Sequence, residues 1–141
     1  MKATDLIIGD WILINNAPHK IQAIDSIDAE IQADDELYYV GEDRHHSEDN
    51  IEGILITPEI LEKNGWKDRE NLMELRVNED TYFLWSKGYG VFTGAFINQI
   101  GCYICDFKYV HTLQHLLRHY GLSYGLNELN ELDELADNFK I

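Results

Sequence analysis

The sequence predicts an α+β protein in which a small SH3-like β-barrel is followed by a short helix, an antiparallel sheet and a covering C-terminal helix. Three observations lead there. Between Asp10 and Ile56, short apolar runs alternate with turn residues at intervals too close for helices. At Thr57 the pattern switches to helix-boundary chemistry, with TPE opening and NG closing the run TPEILEKNG. From Tyr109 to Gly121, YVHTLQHLLRHYG carries leucines and tyrosines at helical spacing.

In the first region, WILI (Trp11 to Ile14) and HKIQAI (His19 to Ile24) flank Asn15, Asn16, Ala17 and Pro18. Asn tolerates turn geometry and Pro fixes its own φ, so a hairpin is expected. Further strands are expected at Ala29 to Ala33, Leu37 to Val40 and Ile51 to Ile56, with Asp34 and Asp35 as a tight turn. Short strands in such number suit a small barrel, which leaves few edges unpaired.

Thr57 supplies an N-cap oxygen, Pro58 suits the first helical position and Glu59 meets the positive end of the helix dipole. Asn64 and Gly65 then stop a helix of about two turns, too short to persist without packing. Ile60, Leu61 and Trp66 are its expected anchors. Strand character returns in LMELRV, TYFLWS, VFTGAFI and CYICDF, joined by short connections that favour an antiparallel meander. The expected divisions are 1–56 for the barrel-like domain, 57–125 for the α+β unit, and 126–141 for an acidic tail. In that tail leucine recurs every third position, a diffuse stripe compatible with a docked helix, an oligomer contact or a frayed end.

The formal charge of −15 arises from 26 acidic and 11 basic residues. Such a chain repels a phosphate backbone, so direct nucleic-acid binding is not expected. Asp25 to Glu52 holds eleven acids against Arg44 alone, and Glu128 to Asp137 is a second cluster. Solvated acidic faces explain both; docking of a basic partner, or imitation of nucleic acid, is the sharper reading. No apolar run approaches the roughly 20 residues that cross a bilayer, and a signal-peptide core is not recognisable. With only two cysteines, Cys102 and Cys105, a reducing cytoplasm is the expected location.

On a helical wheel Tyr109, Leu113, Leu116, Leu117 and Tyr120 fall together, each buried leucine contributing about 1.5–3 kcal/mol. His111, His115 and His119 fall opposite, beside Gln114 and Arg118. Histidines four apart share a face, which makes the three weak candidates for metal ligation. The zincin pattern, however, places Glu after the first His, and here Thr112 and Leu116 follow. A polar helix face is the default, and His111 also has a structural role open to it near the helix start.

CYIC has redox or zinc spacing, yet Tyr103 and Ile104 suggest a strand, where positions three apart point to opposite faces. His45 and His46 lie in an acidic loop without recognised ligand spacing. GYGVFTG places its glycines before a strand, unlike a dinucleotide fingerprint, and no nucleophile context such as GxSxG occurs. No cofactor and no catalytic residue are expected.

Taken in order, IGDWILINNAPHKI, LITPEILEKNGW and YVHTLQHLL resemble a family of small proteins of gut-type bacteria and their phages or mobile elements, for which no activity is established. The resemblance runs from about Ile7 to Gly121. Its matching positions are Gly9, Asp10, Thr57, Pro58, Glu59, Leu61, Asn64, Gly65, His111, Leu113 and Gln114. His119 and the leucine-rich tail depart from it, leaving His111 with Gln114 as the family-like pair.

The leading expectation is therefore a non-catalytic, cytoplasmic protein-interaction module of phage or mobile-element origin, with an unidentified protein partner and room for self-association. Its candidate surface is Asp34, Asp35, Asp43, Glu48, His111 and Gln114. One alternative is an acidic nucleic-acid mimic that inhibits a DNA-binding or restriction protein. The other is a metal-binding protein or enzyme built on His111 and His115.

Overall fold

Two pairs of polar residues with positive φ set the hairpins of the first unit. The computed structural model describes residues 5–25, 30–39, 49–70, 72–76, 81–86, 91–97, 100–102, 108–123 and 130–141. Strands β1 (Trp11–Ile14) and β2 (Ala17–Asp25) join through Asn15 and Asn16, at φ 51° and 70°. Strands β3 (Glu30–Ala33) and β4 (Glu36–Tyr39) join through Asp34 and Asp35, at φ 49° and 63°. Positive φ at both central residues is the type I′ pattern, whose twist matches that of the flanking strands. The first turn is thus two residues, shorter than the sequence suggested, and Ala17 and Pro18 lie within β2. Pro18 faces Leu13 one position beyond the turn-flanking pair Ile14 and Ala17. At such a non-hydrogen-bonded position its missing N–H costs β1 nothing.

A fifth strand, β5 (Ile51–Gly53), pairs with β1, giving an antiparallel sheet of order β4-β3-β2-β1-β5. It stops three residues short of the expected Ile56. The sheet is an SH3-like curled half-barrel. Alternation turns Ile12, Ile14, Ile31 and Ala33 inward, where they join Leu6 and Ile21 in the core with Ile24, Tyr38 and Ile51 against it. A register shift between Ile21 and Ala23 makes Gln22 the extra residue of β2, and such a bulge bends its strand.

The two edges of the half-barrel meet at one seam. The Asp49 N–H donates to the Tyr39 carbonyl at 3.2 Å, and the Tyr39 N–H donates to the Asp49 carboxylate at 2.9 Å. Asn15 completes the seam: its N–H donates to the Asn50 carbonyl, and its side chain accepts from the Asn50 N–H and donates to Asp49. Gly9 and Asp10 form the lead-in turn. Gly9 has φ 94°, the Asp10 N–H donates to the Ile7 carbonyl, and the buried Asp10 carboxylate accepts from the Ile7 N–H at 2.8 Å.

The chain forms two compact units, Met1–Ile54 and Leu55–Ile141. In the second, Leu55 and Tyr109 form an isolated antiparallel bridge, and the Ile56 N–H donates to the Lys108 carbonyl at 2.8 Å. Helix α1 (Pro58–Lys63) starts as its sequence directs, with Thr57 Oγ1 accepting from the Ile60 N–H at 3.2 Å. Its end is a Schellman arrangement: the Gly65 N–H reaches the Glu62 carbonyl, the Trp66 N–H reaches that of Leu61, and Gly65 has φ 85°. Leu61 and Trp66 are buried as expected, while Ile60 is half-buried.

The second sheet has the order β10-β9-β8-β7-β6 and is antiparallel throughout. Its strands are β6 (Lys67–Arg69), β7 (Leu72–Arg76), β8 (Thr81–Ser86), β9 (Val91–Ile97) and β10 (Ile100–Cys102). Met73 faces Trp85 and Leu75 faces Phe83 across β7 and β8, and all four are buried. The short, fully exposed β6 has no apolar alternation and went unforeseen. Helix α2 (Val110–Ser123) continues past Gly121, and α3 (Asn130–Asp137) packs against it. Within the leucine-rich tail, residues 130–137 form a docked helix, and Leu126 and Leu129 lie outside the described residues.

Candidate interaction surfaces and the histidine helix

Helix α2 forms around Val110, Leu113, Leu116 and Leu117, all buried. Its polar side is not the solvated face that the wheel implied. Gln114 is fully buried and His111 is 6% exposed, while His115 is half-buried and only His119 lies open. The reason is α3. The Gln114 amide donates to the Ala136 carbonyl at 2.9 Å, and the Arg118 guanidinium lies 3.4 Å from the Asp137 carboxylate. Tyr109, expected among the buried stripe, is 38% exposed and forms the bridge with Leu55. Gln114 therefore joins the scaffold, outside any contact surface.

The His111 ring stacks on Tyr109 at 5.8 Å between centroids and meets the edge of His115 at 5.9 Å. Among the described residues, no group of three or more His, Cys, Asp and Glu is arranged to hold a metal. His111 and His115 are brought together, with no third ligand beside them among the described residues.

On the half-barrel, Asp34 and Asp35 sit at the tip of the β3–β4 hairpin. Asp34 pairs with His19, whose ring lies 5.6 Å from that of Tyr38. The Asp35 N–H donates to the Gln22 side chain at 2.9 Å, which ties the bulge to the turn. The Tyr38 hydroxyl donates to Glu36 at 3.0 Å. Desolvation first, then that bond and the charges of Glu36, Asp34 and Asp49, raise the Tyr38 phenol above its ordinary value. Beside these acids Leu37 is 61% exposed on the edge strand. Asp43, Glu48, His45, His46 and Cys105 lie outside the described residues, as do the glycines at 88 and 90; Val91 to Gly94 are in a strand.

One polar group of the second unit, held by three side-chain hydrogen bonds, was not singled out for this role. Asn64, expected only to stop α1, also holds residue 140. Its Nδ2 donates to the Ile60 carbonyl and to the Lys140 carbonyl, each at 2.8 Å, and its Oδ1 accepts from the Lys140 N–H at 2.8 Å. Lys63 Nζ donates to the Ile141 carbonyl at 3.3 Å, and Phe139 is buried. Alongside runs an open cavity of about 490 Å³ lined by Lys63, Asn64, Gly65, Glu134, Leu135, Asn138 and Lys140. One signal was available: Phe139 is the only aromatic residue after Tyr124.

Among the described residues, no helix is long and apolar enough to cross a membrane. Comparison with protein-family models, curated proteins and solved structures gives no match to this chain.

Proposed function

We propose that the protein is a non-catalytic protein-interaction module, working in the cytoplasm and of phage or mobile-element origin, that docks a basic partner on its half-barrel. The observation that carries this reading is Leu37, 61% exposed on edge strand β4, which follows the exposed acidic hairpin tip of Asp34 and Asp35. An apolar contact inside a charged rim is the usual anatomy of a protein interface. Acidic rims raise the encounter rate with basic partners. The nucleic-acid-mimic reading is less favoured, because the Asp49 carboxylate is taken up by the Asn15 side chain and the Tyr39 N–H.

A photo-crosslinking residue at position 37, expressed in the native host, is expected to trap one partner with an excess of basic residues. Leu37→Asp and Asp35→Lys are expected to abolish that adduct while leaving the circular-dichroism spectrum unchanged. An adduct of equal yield from a crosslinker at Glu52, on the other edge strand, would remove the reading.

A further inference from the structure

The geometry points to the end of α1 as a peptide-binding site, occupied in this structure by the chain's own residues 139–141 and able to take an extended peptide with one aromatic anchor from a partner. This inference concerns the second unit and does not depend on the Leu37 surface. The contacts have the character of peptide recognition. Asn64 bonds both the N–H and the C=O of one residue, Lys140, groups that every non-proline residue supplies, while the Lys140 side chain remains exposed. Selection for an aromatic comes one residue earlier, where Phe139 is 3% exposed. Lys63 reaches the next main-chain oxygen, that of Ile141. Backbone bonds for affinity with one side-chain pocket for specificity are the recurring means of holding an extended peptide.

The site is organised before its occupant arrives. Asn64 is the C-cap of α1, and one of its two amide hydrogens is committed to the Ile60 carbonyl within that helix. That bond fixes the amide plane, leaving the second hydrogen and Oδ1 aimed at a peptide. Gly65 is set by its backbone, at φ 85°, and beside it the structure is open, since a Cβ there would meet nothing within 4 Å. Residues 139–141 belong to no helix or strand, so their displacement breaks no regular backbone ladder. The adjoining cavity of about 490 Å³ gives a longer ligand room to continue.

Because the tail is tethered, it competes at an effective concentration on the order of millimolar. The test uses the full chain, isotope-labelled, titrated with an end-blocked peptide of residues 137–141, and follows the Asn64 side-chain amide by NMR. Phe139→Ala is expected to bind the peptide roughly tenfold or more tightly than the natural chain, since its tail lacks the anchor. Adding Asn64→Ala to that variant is expected to abolish binding. Equal binding by the natural chain and Phe139→Ala, or binding indifferent to Asn64→Ala, would overturn the inference. Should Phe139→Ala not fold, hydrogen exchange decides. Saturating peptide is expected to speed exchange at residues 139–141 of the natural chain and leave β1 and β2 unchanged; unaltered exchange at 139–141 would equally overturn it.

Discussion

The half-barrel and the second unit close by different means. In the half-barrel, two type I′ turns join neighbouring strands, and the seam bond from the Asn50 N–H to the Asn15 side chain spans 35 positions. In the second unit, Asn64 reaches Lys140 across 76 positions, and the bond between Gln114 and Ala136 spans 22. Distant closure costs more chain entropy before any contact repays it, although the cost rises slowly with separation. The half-barrel is thus specified by many local choices, the second unit by a few side chains that each hold a remote segment.

The strongest attempt to break this contrast is Phe139→Ala. Loss of a buried aromatic costs on the order of 3–5 kcal/mol. Denaturant unfolding followed by hydrogen exchange is expected to show α1, α2 and α3 losing protection while β1 to β3 keep theirs; a single common transition would mean that the units are energetically one. Asp10→Ala tests the half-barrel in the opposite direction. It strips the Ile7 N–H of its carboxylate acceptor in a part-buried bond, and a loss of about 1.5–3 kcal/mol, the usual worth of a hydrogen bond to a charged group, is expected there, read from the urea midpoint.

A milder probe is Thr57→Ala, which removes the α1 cap and is expected to lower the stability of the second unit by about 1 kcal/mol. Smallest is the alkaline limb. The Tyr38 phenol lies above its ordinary 10.0 in the fold, so above that pH the unfolded chain releases a proton that the folded chain retains. The stabilisation is fully present below pH 10 and is lost as pH climbs through the folded value. Melting curves above pH 10 are expected to fall more steeply for the natural chain than for Tyr38→Phe.

How much of this was legible follows the same division. The strands of the half-barrel and the Asp34–Asp35 turn could be read because alternation and turn chemistry act over a few residues. Thr57, Pro58, Asn64 and Gly65 likewise declared both ends of α1. The burial of His111 and Gln114 was not legible. A helical wheel shows which residues share a side, and only the tertiary partner decides whether that side meets water. The same holds for Asn64, whose local role as a stop concealed a second bond far along the chain. β6 escaped because Lys67, Asp68 and Arg69 are all exposed and leave no apolar trace. Of the candidate interaction residues, Asp34 and Asp35 stand exposed at a hairpin tip beside Leu37, a residue whose prominence the alternation gave no reason to expect.

The seam at Tyr39 has a bearing on how the protein behaves at high concentration. An edge strand with outward N–H and C=O groups is a template for sheet growth between molecules. Asp49 occupies both groups of Tyr39, one through its own N–H and the other through its carboxylate standing in for a strand carbonyl. Asp49→Ala is expected to shorten the lag before turbidity develops on gentle heating, with little change in the melting temperature. A residue that contributes modestly to folding thereby helps to keep the molecule from aggregating edge to edge.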